Sequence, residues 1–476
     1  MTRGGLDFSW RRRIIVVGNR RFLSTRSSVG GRFQTLVSTG AESGSGRRNG
    51  RSKTSSVGRC NALNDNGLAK KVKGSKMERE FFIPQGYRFA GTHCGVKPNT
   101  TKLDFALVVS DLPATAAGVY TQNLNCGAPV TYDRSLTPGK GIRVVATNSG
   151  VANACTGALG LENARKMAEL AAQAVGATGD QALVMSTGVI GVQLPMERIA
   201  EGAASAGASL GSTLDDFKKA ATAIMTTDTK MKIVSRQAVA KNGKTYRLAG
   251  MCKGAAMIGP NMATMLATLM TDAALEPADA QAMLKEVVDE TFNCVSVEGH
   301  TSTSDSVVFL ANGAAIPEPL SGDDLTAFKA LLLDLCQELA PMIPGDGEGA
   351  SHLITIDVFG APDRESAKKL AQTVANDALV KTAICGADPN WGRIISATGR
   401  CGVPYDPTKV SLKVNGFLLY ENGTPLDFDK ETVSASIRDN YDTSFEIFFQ
   451  EGDASIRFWT SDLTCEYVHL NADYTT

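Results

Sequence analysis

The sequence predicts a mixed α and β fold, and three observations carry that prediction. From about residue 81 to the end, short apolar runs rich in branched side chains alternate with helix-like segments. Apolar residues make up 43% of the chain, with 47 Gly and only 6% aromatics, which fits packed domains rather than disordered or fibrous chains. At 476 residues there is room for two or three domains and a large core.

In chain order, "FALVVS" at 105–110, "IRVVAT" at 142–147, "ALVMS" at 182–186, "SVVFLA" at 306–311 and "LITIDV" at 353–358 read as strands. Branched apolar residues suit a pleated, packed surface. Later runs, "VSLKV" at 410–414, "FEIFF" at 445–449 and "SIRFW" at 455–459, alternate and suggest antiparallel pairing. Helix starts lie between the strands. Ser212 with Asp215 and Ser321 with Asp324 each fit a loosened capping box, and Pro277 suits a first helical turn, where no N–H is needed. This order favours an α/β or α+β arrangement, without an internal repeat.

Charge narrows the partners. Lys plus Arg balance Asp plus Glu at 49 each, so no net field draws nucleic acid or an anionic membrane, and small molecules are the expected partners. No apolar run approaches the ~18 to 20 residues that span a bilayer, and "IIVV" at 14–17 is too short for a signal-peptide core. A soluble protein is expected. The ten cysteines are scattered without a CxxC pair, and His93, His300, His352 and His469 stand far apart. That spacing speaks against a zinc site or a disulfide framework and for a reducing compartment, with each Cys read as a small buried hydrophobe. It also disfavours a Ser-His-Asp triad.

The first 75 or so residues differ from the rest. From Met1 to Cys60 the cations are almost all Arg, against only Asp7 and Glu42, with Ser and Gly between them. Such a leader cannot bury enough apolar surface to offset the entropy of ordering. Two readings stay open: an organellar transit peptide, or a start placed too early, with Met77 as the true first residue just before "FFIPQGYRFAG".

Four stretches with small polar residues directly follow a predicted strand or helix, and three of them also gather Gly. They are "MSTGVIG" at 185–191, "MTTDTK" at 225–230, "GMCKGAAMIGPNMATM" at 250–265 and "GDGEGASHL" at 345–353. Singly, each is a plausible turn. Within the third, Gly259 and Pro260 precede Ala263 and Thr264, and apolar sequence follows. Taken alone, Thr264 would cap a helix with Met265, Leu266 and Leu269 on its apolar face.

In this order, and with "SDLPATAAGVYT" at 110–121, "GADPNWGR" at 386–393 and the tail "YVHLNADYTT", the chain resembles the bifunctional ornithine acetyltransferase family, also called glutamate N-acetyltransferase. The resemblance runs from about Phe81 to the last residue. It implies a precursor that cuts itself between Ala263 and Thr264, giving fragments 81–263 and 264–476 behind a leader at 1–80. It also implies helices and sheets layered in a way similar to N-terminal nucleophile hydrolases. Thr264 then becomes the nucleophile. A threonine hydroxyl is weak and no histidine is expected nearby, but a free α-amine on the same residue titrates near ~7.7 to 8.0 and can serve as its base. Ala263 is small enough to let the hydroxyl reach the preceding carbonyl, and Gly259 with Pro260 can hold a bent approach.

The family's oxyanion site maps onto the Thr187 hydroxyl and the Gly188 amide, donors for the oxygen that becomes negative. Its substrate contacts map onto Thr226, Lys253, Thr264, Glu348, Asn471 and Thr476. Lys253 can pair with an α-carboxylate, Glu348 can hold an ammonium, and Asn471 with Thr476 can supply neutral hydrogen bonds. Spacing alone does not choose between Thr226 and Thr227.

The implied reaction is a ping-pong acetyl transfer from N-acetylornithine to glutamate, with acetyl-CoA as a possible co-substrate and no cofactor or metal required. The fragments are expected to associate, two of each, as a heterotetramer. A cytoplasmic location is expected, or a mitochondrial matrix or plastid if the leader is a transit peptide. Two other readings remain. An amidohydrolase or aminopeptidase with the same threonine would release acetate, and an amino-acid-binding protein without chemistry would stay uncut.

Overall fold

The computed structural model describes residues 80–98, 100–259 and 265–473. The expected leader, Glu80 apart, lies outside the described residues, as do Ala263, Thr264 and Thr476. Residues from Met77 onward form one unit, and the elements below belong to it.

The strands are β1 (Tyr87–Thr92), β2 (Phe105–Tyr120), β3 (Gly139–Val151), β4 (Ala182–Val189), β5 (Lys232–Val239), β6 (Thr245–Lys253), β7 (Leu266–Ala273), β8 (Val295–Ser296) and β9 (Ser306–Ile316). There follow β10 (Leu353–Ala361), β11 (Ser411–Val414), β12 (Phe417–Glu421), β13 (Thr424–Pro425), β14 (Asp442–Phe448) and β15 (Ala454–Ser461). The first sheet runs β4-β3-β2-β9-β7-β6-β5, with β1 on β2; the second runs β13-β12-β11-β14-β10-β15-β8. Each predicted apolar run falls on a strand, with Val410 just before β11 and Phe449 just after β14.

Antiparallel pairing holds at β11–β14 and β10–β15, but β14 also pairs with β10, and β15 with β8, in parallel. Both sheets are therefore mixed. Strand β2 runs on past Ser110 through Pro113 to Tyr120, and its register with β3 shifts between Val109 and Ala114. Such an irregularity bends a strand, and Pro, which has no ladder N–H, sits well in it.

The helices are α1 (Ala128–Arg134), α2 (Gly157–Gln173), α3 (Met196–Ala208), α4 (Leu214–Ala223), α5 (Pro277–Glu290) and α6 (Gly322–Leu339). They continue with α7 (Arg364–Ala375), α8 (Ala378–Cys385), α9 (Trp391–Gly399), α10 (Lys430–Arg438) and α11 (Cys465–Asp473). Pro277 opens α5 as expected. The cap of α4 falls one residue later than Ser212: Thr213 Oγ1 accepts from the Asp216 amide, and Asp216 accepts from the Thr213 amide. Ser321 precedes α6 but makes no capping bond; Asp324 Oδ1 instead accepts from the Lys241 amide at 3.0 Å.

Helices cover both sheets. The α2 and α3 helices share one apolar cluster with Val144, Ala146 and Val184, while Phe217 of α4 packs against Phe89 and Phe81 at centroid distances of 4.9 Å each. The largest cluster joins β6, β7 and β9 through α5 and α6 to the second sheet and its helices.

The segment after Thr264 is a strand, not a helix. Every residue of β7 is buried: β6 and β9 pair with its two edges, and its alternate side chains enter different apolar clusters, Ala267 and Leu269 in one and Leu266 and Met270 in another. A strand buried on both faces reads as a continuous apolar run, which periodicity cannot tell from a helix.

Candidate active site

Strand β4 ends at Thr187 and Gly188, paired with Ser149 and Gly150 of β3. Thr187 is buried, and Gly188 has φ +131°, a left-handed value that favours glycine. A Cβ there would lie 2.2 Å from the Gly150 carbonyl carbon, so the backbones approach as closely as only glycine allows. Lys253, at the end of β6, puts Nζ 3.4 Å from Thr187 Oγ1. Four strands separate β4 from β6 in the sheet order, so the sheet curls to bring these side chains together. With Thr187 Oγ1 accepting from Lys253, its own hydrogen is free to point to another acceptor.

Lys253 is 2% exposed and is no surface lysine. Burial lowers its pKa, and the attraction of Asp228 opposes that fall. Burial alone would raise the Asp228 carboxyl, but Lys253 and Lys232 outweigh it and hold it down at about 2. Asp228 Oδ1 accepts from Lys232 Nζ at 2.7 Å and from the Gly254 amide at 2.7 Å. Lys232 Nζ also reaches Asp346 Oδ2 at 2.6 Å, and Asp346 takes the Thr229 and Lys230 amides at 3.0 and 3.1 Å. This buried network ties together the end of β6, the 225–231 loop and the 345–348 turn. Three of the four stretches singled out in the sequence meet there.

Glu348 continues from that turn, its amide donating to the Ala255 carbonyl at 2.9 Å. Its Oε2 accepts from Asn471 Nδ2 at 2.8 Å, so α11 docks on the same loop. Tyr467, one turn earlier, has its phenol pushed up to about 12 by burial and by the nearby Glu298 and Glu348.

The loop 298–305, "EGHTSTSD", holds the chain on either side of residues 260–264. Glu298 Oε1 accepts from the Ile258 amide at 2.5 Å, and the Ile258 carbonyl accepts from the Val297 and Gly299 amides at 3.0 Å each. Asp305 Oδ1 accepts from the amide of Met265, the residue after Thr264, at 3.1 Å. Among the described residues, Glu298 Oε2 and Asp305 Oδ2 are buried without a hydrogen-bond partner. Burial, then Glu348, pushes Glu298 up to about 8 against the pull of the Ile258 amide and Lys381. Burial raises Asp305 well above the usual carboxylate range against the Met265 amide.

These elements enclose a cavity of about 300 Å³ whose lining includes Thr187, Gly188, Thr226, Thr227, Lys253, Glu298, His300, Glu348, Tyr467 and Asn471. Every described residue of the expected site is among them. Both Thr226 and Thr227 line the wall, so the cavity does not choose between them. His300 corrects the expectation that no histidine lies near. Glu298, Asp305 and Tyr467 were not anticipated; the one signal for the first two was a hydroxyl-rich loop with Gly299 between two acids.

One other expectation is corrected. Cys155, Cys385 and Cys465 are exposed, whereas Cys252, Cys294 and Cys336 are buried hydrophobes as expected. Folding also brings a serine to a histidine: Ser351 Oγ lies 2.9 Å and Asp462 Oδ2 3.2 Å from His352 Nδ1. Both partners face the same ring nitrogen while Nε2 faces the Ile437 carbonyl at 3.2 Å, so this cluster lacks the relay of a triad.

A polar cavity that gathers Thr187, Gly188 and a buried lysine at the ends of strands with two carboxyls from loops marks an enzyme acting on a small charged molecule. The chain belongs to the ArgJ family, whose model matches residues 88–476. The "Arginine biosynthesis bifunctional protein ArgJ" of Rhodopirellula baltica is 45% identical over 397 residues, 83% of this chain and 96% of the relative. The mitochondrial ArgJ of Pyricularia oryzae is 42% identical over 424 residues, 83% of this chain and 90% of the relative. A crystal structure of ArgJ from Bacillus halodurans is 35% identical, covering 44% of this chain and 97% of that one, with a TM-score of 0.42. The chain is an acyltransferase of arginine biosynthesis.

Proposed function

We propose that the chain moves the acetyl group of N-acetylornithine to glutamate through an acetyl ester on Thr264, after cutting itself between Ala263 and Thr264. The observation that carries this reading is the meeting of Thr187, Gly188 and Lys253 in one cavity, with Lys253 paired to Leu266, two residues after Thr264. Thr264 Oγ attacks the acetyl carbonyl while its α-amine takes the hydroxyl proton. Negative charge gathers on the carbonyl oxygen, where the Thr187 hydroxyl and Gly188 amide donate. The C–N bond breaks, ornithine leaves carrying the proton, and the α-amine of glutamate then attacks the ester and restores the hydroxyl.

Lys253, Thr226, Glu348, Asn471 and Thr476 hold the amino acid. Lys253 has a double part, since it bonds Thr187 and presents positive charge to an α-carboxylate. An amide is exchanged for a similar amide, so the scheme demands no metal or nucleotide. Acetyl-CoA would load the same threonine. Fragments 81–263 and 264–476 would remain together, two of each. The cytoplasmic location, and the mitochondrial one that the Pyricularia relative's name raises, are separated by cell fractionation and N-terminal sequencing.

Mass spectrometry of the purified protein and of Thr264→Ala tests the scheme. The wild type should give two fragments, the second beginning at Thr264, and should transfer acetyl from N-acetylornithine to glutamate rather than release acetate. Thr264→Ala should stay whole and inactive. Two fragments from that variant would refute the scheme.

A further inference from the structure

The exchange of one amino acid for another sets a problem of charge. Ornithine and glutamate share an α-carboxylate, a Cα and the α-amine that is made or unmade at the acyl carbon. Both must therefore place those atoms alike, and their side chains enter the same part of the cavity. One ends in an ammonium and the other in a carboxylate. A wall of fixed charge that favours the first opposes the second by a similar amount.

The groups on that wall differ in how far they are committed. Lys253 is bonded to Thr187, and Glu348 already accepts from Asn471. Glu298 is anchored through Oε1 by the Ile258 amide, so its carboxyl cannot turn away, while Oε2 is buried with no partner among the described residues. A carboxyl held in this way can accept from an ammonium as the anion, or donate its O–H to a carboxylate as the acid.

We propose that Glu298 adapts one subsite to both substrates: it gives up its proton when the ammonium side chain binds and keeps it when the carboxylate side chain binds. This rests on the transfer reading above. The proton released goes to the buffer and returns from it. The titratable groups around Glu298 are Lys381 from α8, Glu348 from the 345–348 turn, Tyr467 from α11, Lys253 from β6 and His300 in its own loop. Burial and Glu348 push Glu298 up to about 8, where both forms are accessible near neutrality.

Isothermal titration calorimetry of the full chain at pH 8, in two buffers of different ionisation enthalpy, reads the proton directly. Ornithine and glutamate share their α-amine chemistry, so the difference between them reports Glu298. Ornithine should release about half a proton more, and glutamate take up about half a proton more, than the shared chemistry gives, a difference of ~1 proton. Glu298→Gln, a permanent mimic of the acid, should abolish the difference and weaken ornithine about tenfold or more while leaving glutamate within about threefold. Equal proton exchange for both ligands in the wild type, or an undiminished difference in the Gln variant, would overturn the proposal. If the Gln variant does not fold, the wild-type measurement still decides. Failure of the wild type to bind either amino acid would overturn the transfer reading itself, and this inference with it.

Discussion

Thr187→Val is the sharpest perturbation of the proposed oxyanion site, because it removes one hydroxyl and keeps the side chain's shape. Thr187 is 3% exposed, and among the described residues its hydroxyl is hydrogen-bonded by Lys253 Nζ at 3.4 Å, a long and weak bond. Losing that bond should reduce stability by about 1 kcal/mol or less. In a chain this large that is a fall of about 2 °C in Tm. The effect on catalysis is of a different size. A preorganised donor to a developing oxyanion contributes about 2.7 to 4 kcal/mol, so kcat should fall about 10²- to 10³-fold. Thr187→Ser, which keeps the hydroxyl, should retain most of the rate. The assay is acetyl transfer from N-acetylornithine to glutamate alongside thermal melting, with the two fragments quantified by mass so that rates refer to cut protein. A Val variant within about threefold of the wild-type rate would move the oxyanion hole elsewhere. So would a large rate loss matched by a large fall in Tm, since the loss would then be structural.

Other perturbations test other parts. Asp305→Ala strands the buried Met265 amide at a cost of about 1 to 3 kcal/mol and should slow fragment appearance, whereas Asp305→Asn keeps an acceptor and should cut near the wild-type rate; equal rates in a pulse-chase would remove Asp305 from positioning. Asp228→Asn leaves Lys232 and Lys253 short of a buried counter-charge and should destabilise by about 3 to 5 kcal/mol in denaturant unfolding, and a loss under about 1 kcal/mol would contradict the network described here. Burial pulls Lys381 down to about 8 against Asp462 and Glu298, so the folded protein sheds this proton before the unfolded chain does. Between about pH 8 and 10.5 the unfolded state binds more protons, and the group's contribution to stability rises with pH. The stability of wild type relative to Lys381→Met should therefore improve by about 2 kcal/mol from pH 7.5 to 9.5, and a difference that does not change with pH would refute the assignment.

Much of the fold was legible because branched apolar runs announce strands. What sequence reading missed has local causes. In "STLDD" both Ser212 and Thr213 have an Asp three residues on, so the capping pattern fits twice, and only packing selects Thr213. Ser321 failed as a cap because its Asp324 found a partner 83 residues away in sequence, which no local window contains. Strand β7 was hidden by being central in its sheet, and β2 was cut short at Ser110 because Pro113 reads as a stop unless a bulge accommodates it.

The site divides along a physical line. Residues legible in the sequence, Thr187, Gly188, Lys253 and Glu348, sit in Gly-rich stretches, where close backbone approach leaves a compositional trace. Glu298 and Asp305 leave none, since an acid in a hydroxyl-rich loop looks like any surface turn until the fold buries it. Burial treats the two sets of acids differently. Asp228 and Asp346 meet Lys232 at 2.7 and 2.6 Å and can stay charged, forming a floor whose geometry depends on compensated charge. Glu298 and Asp305 each accept from a backbone amide instead, and burial outweighs the hydrogen bonds and the lysines that favour their charged forms. Their pKa values rise, and the spare oxygen of each can carry a proton in or beside the cavity. The charged floor therefore fixes the position of Lys253 and the turn to Glu348, while Glu298 and Asp305 hold the amides on either side of residues 260–264.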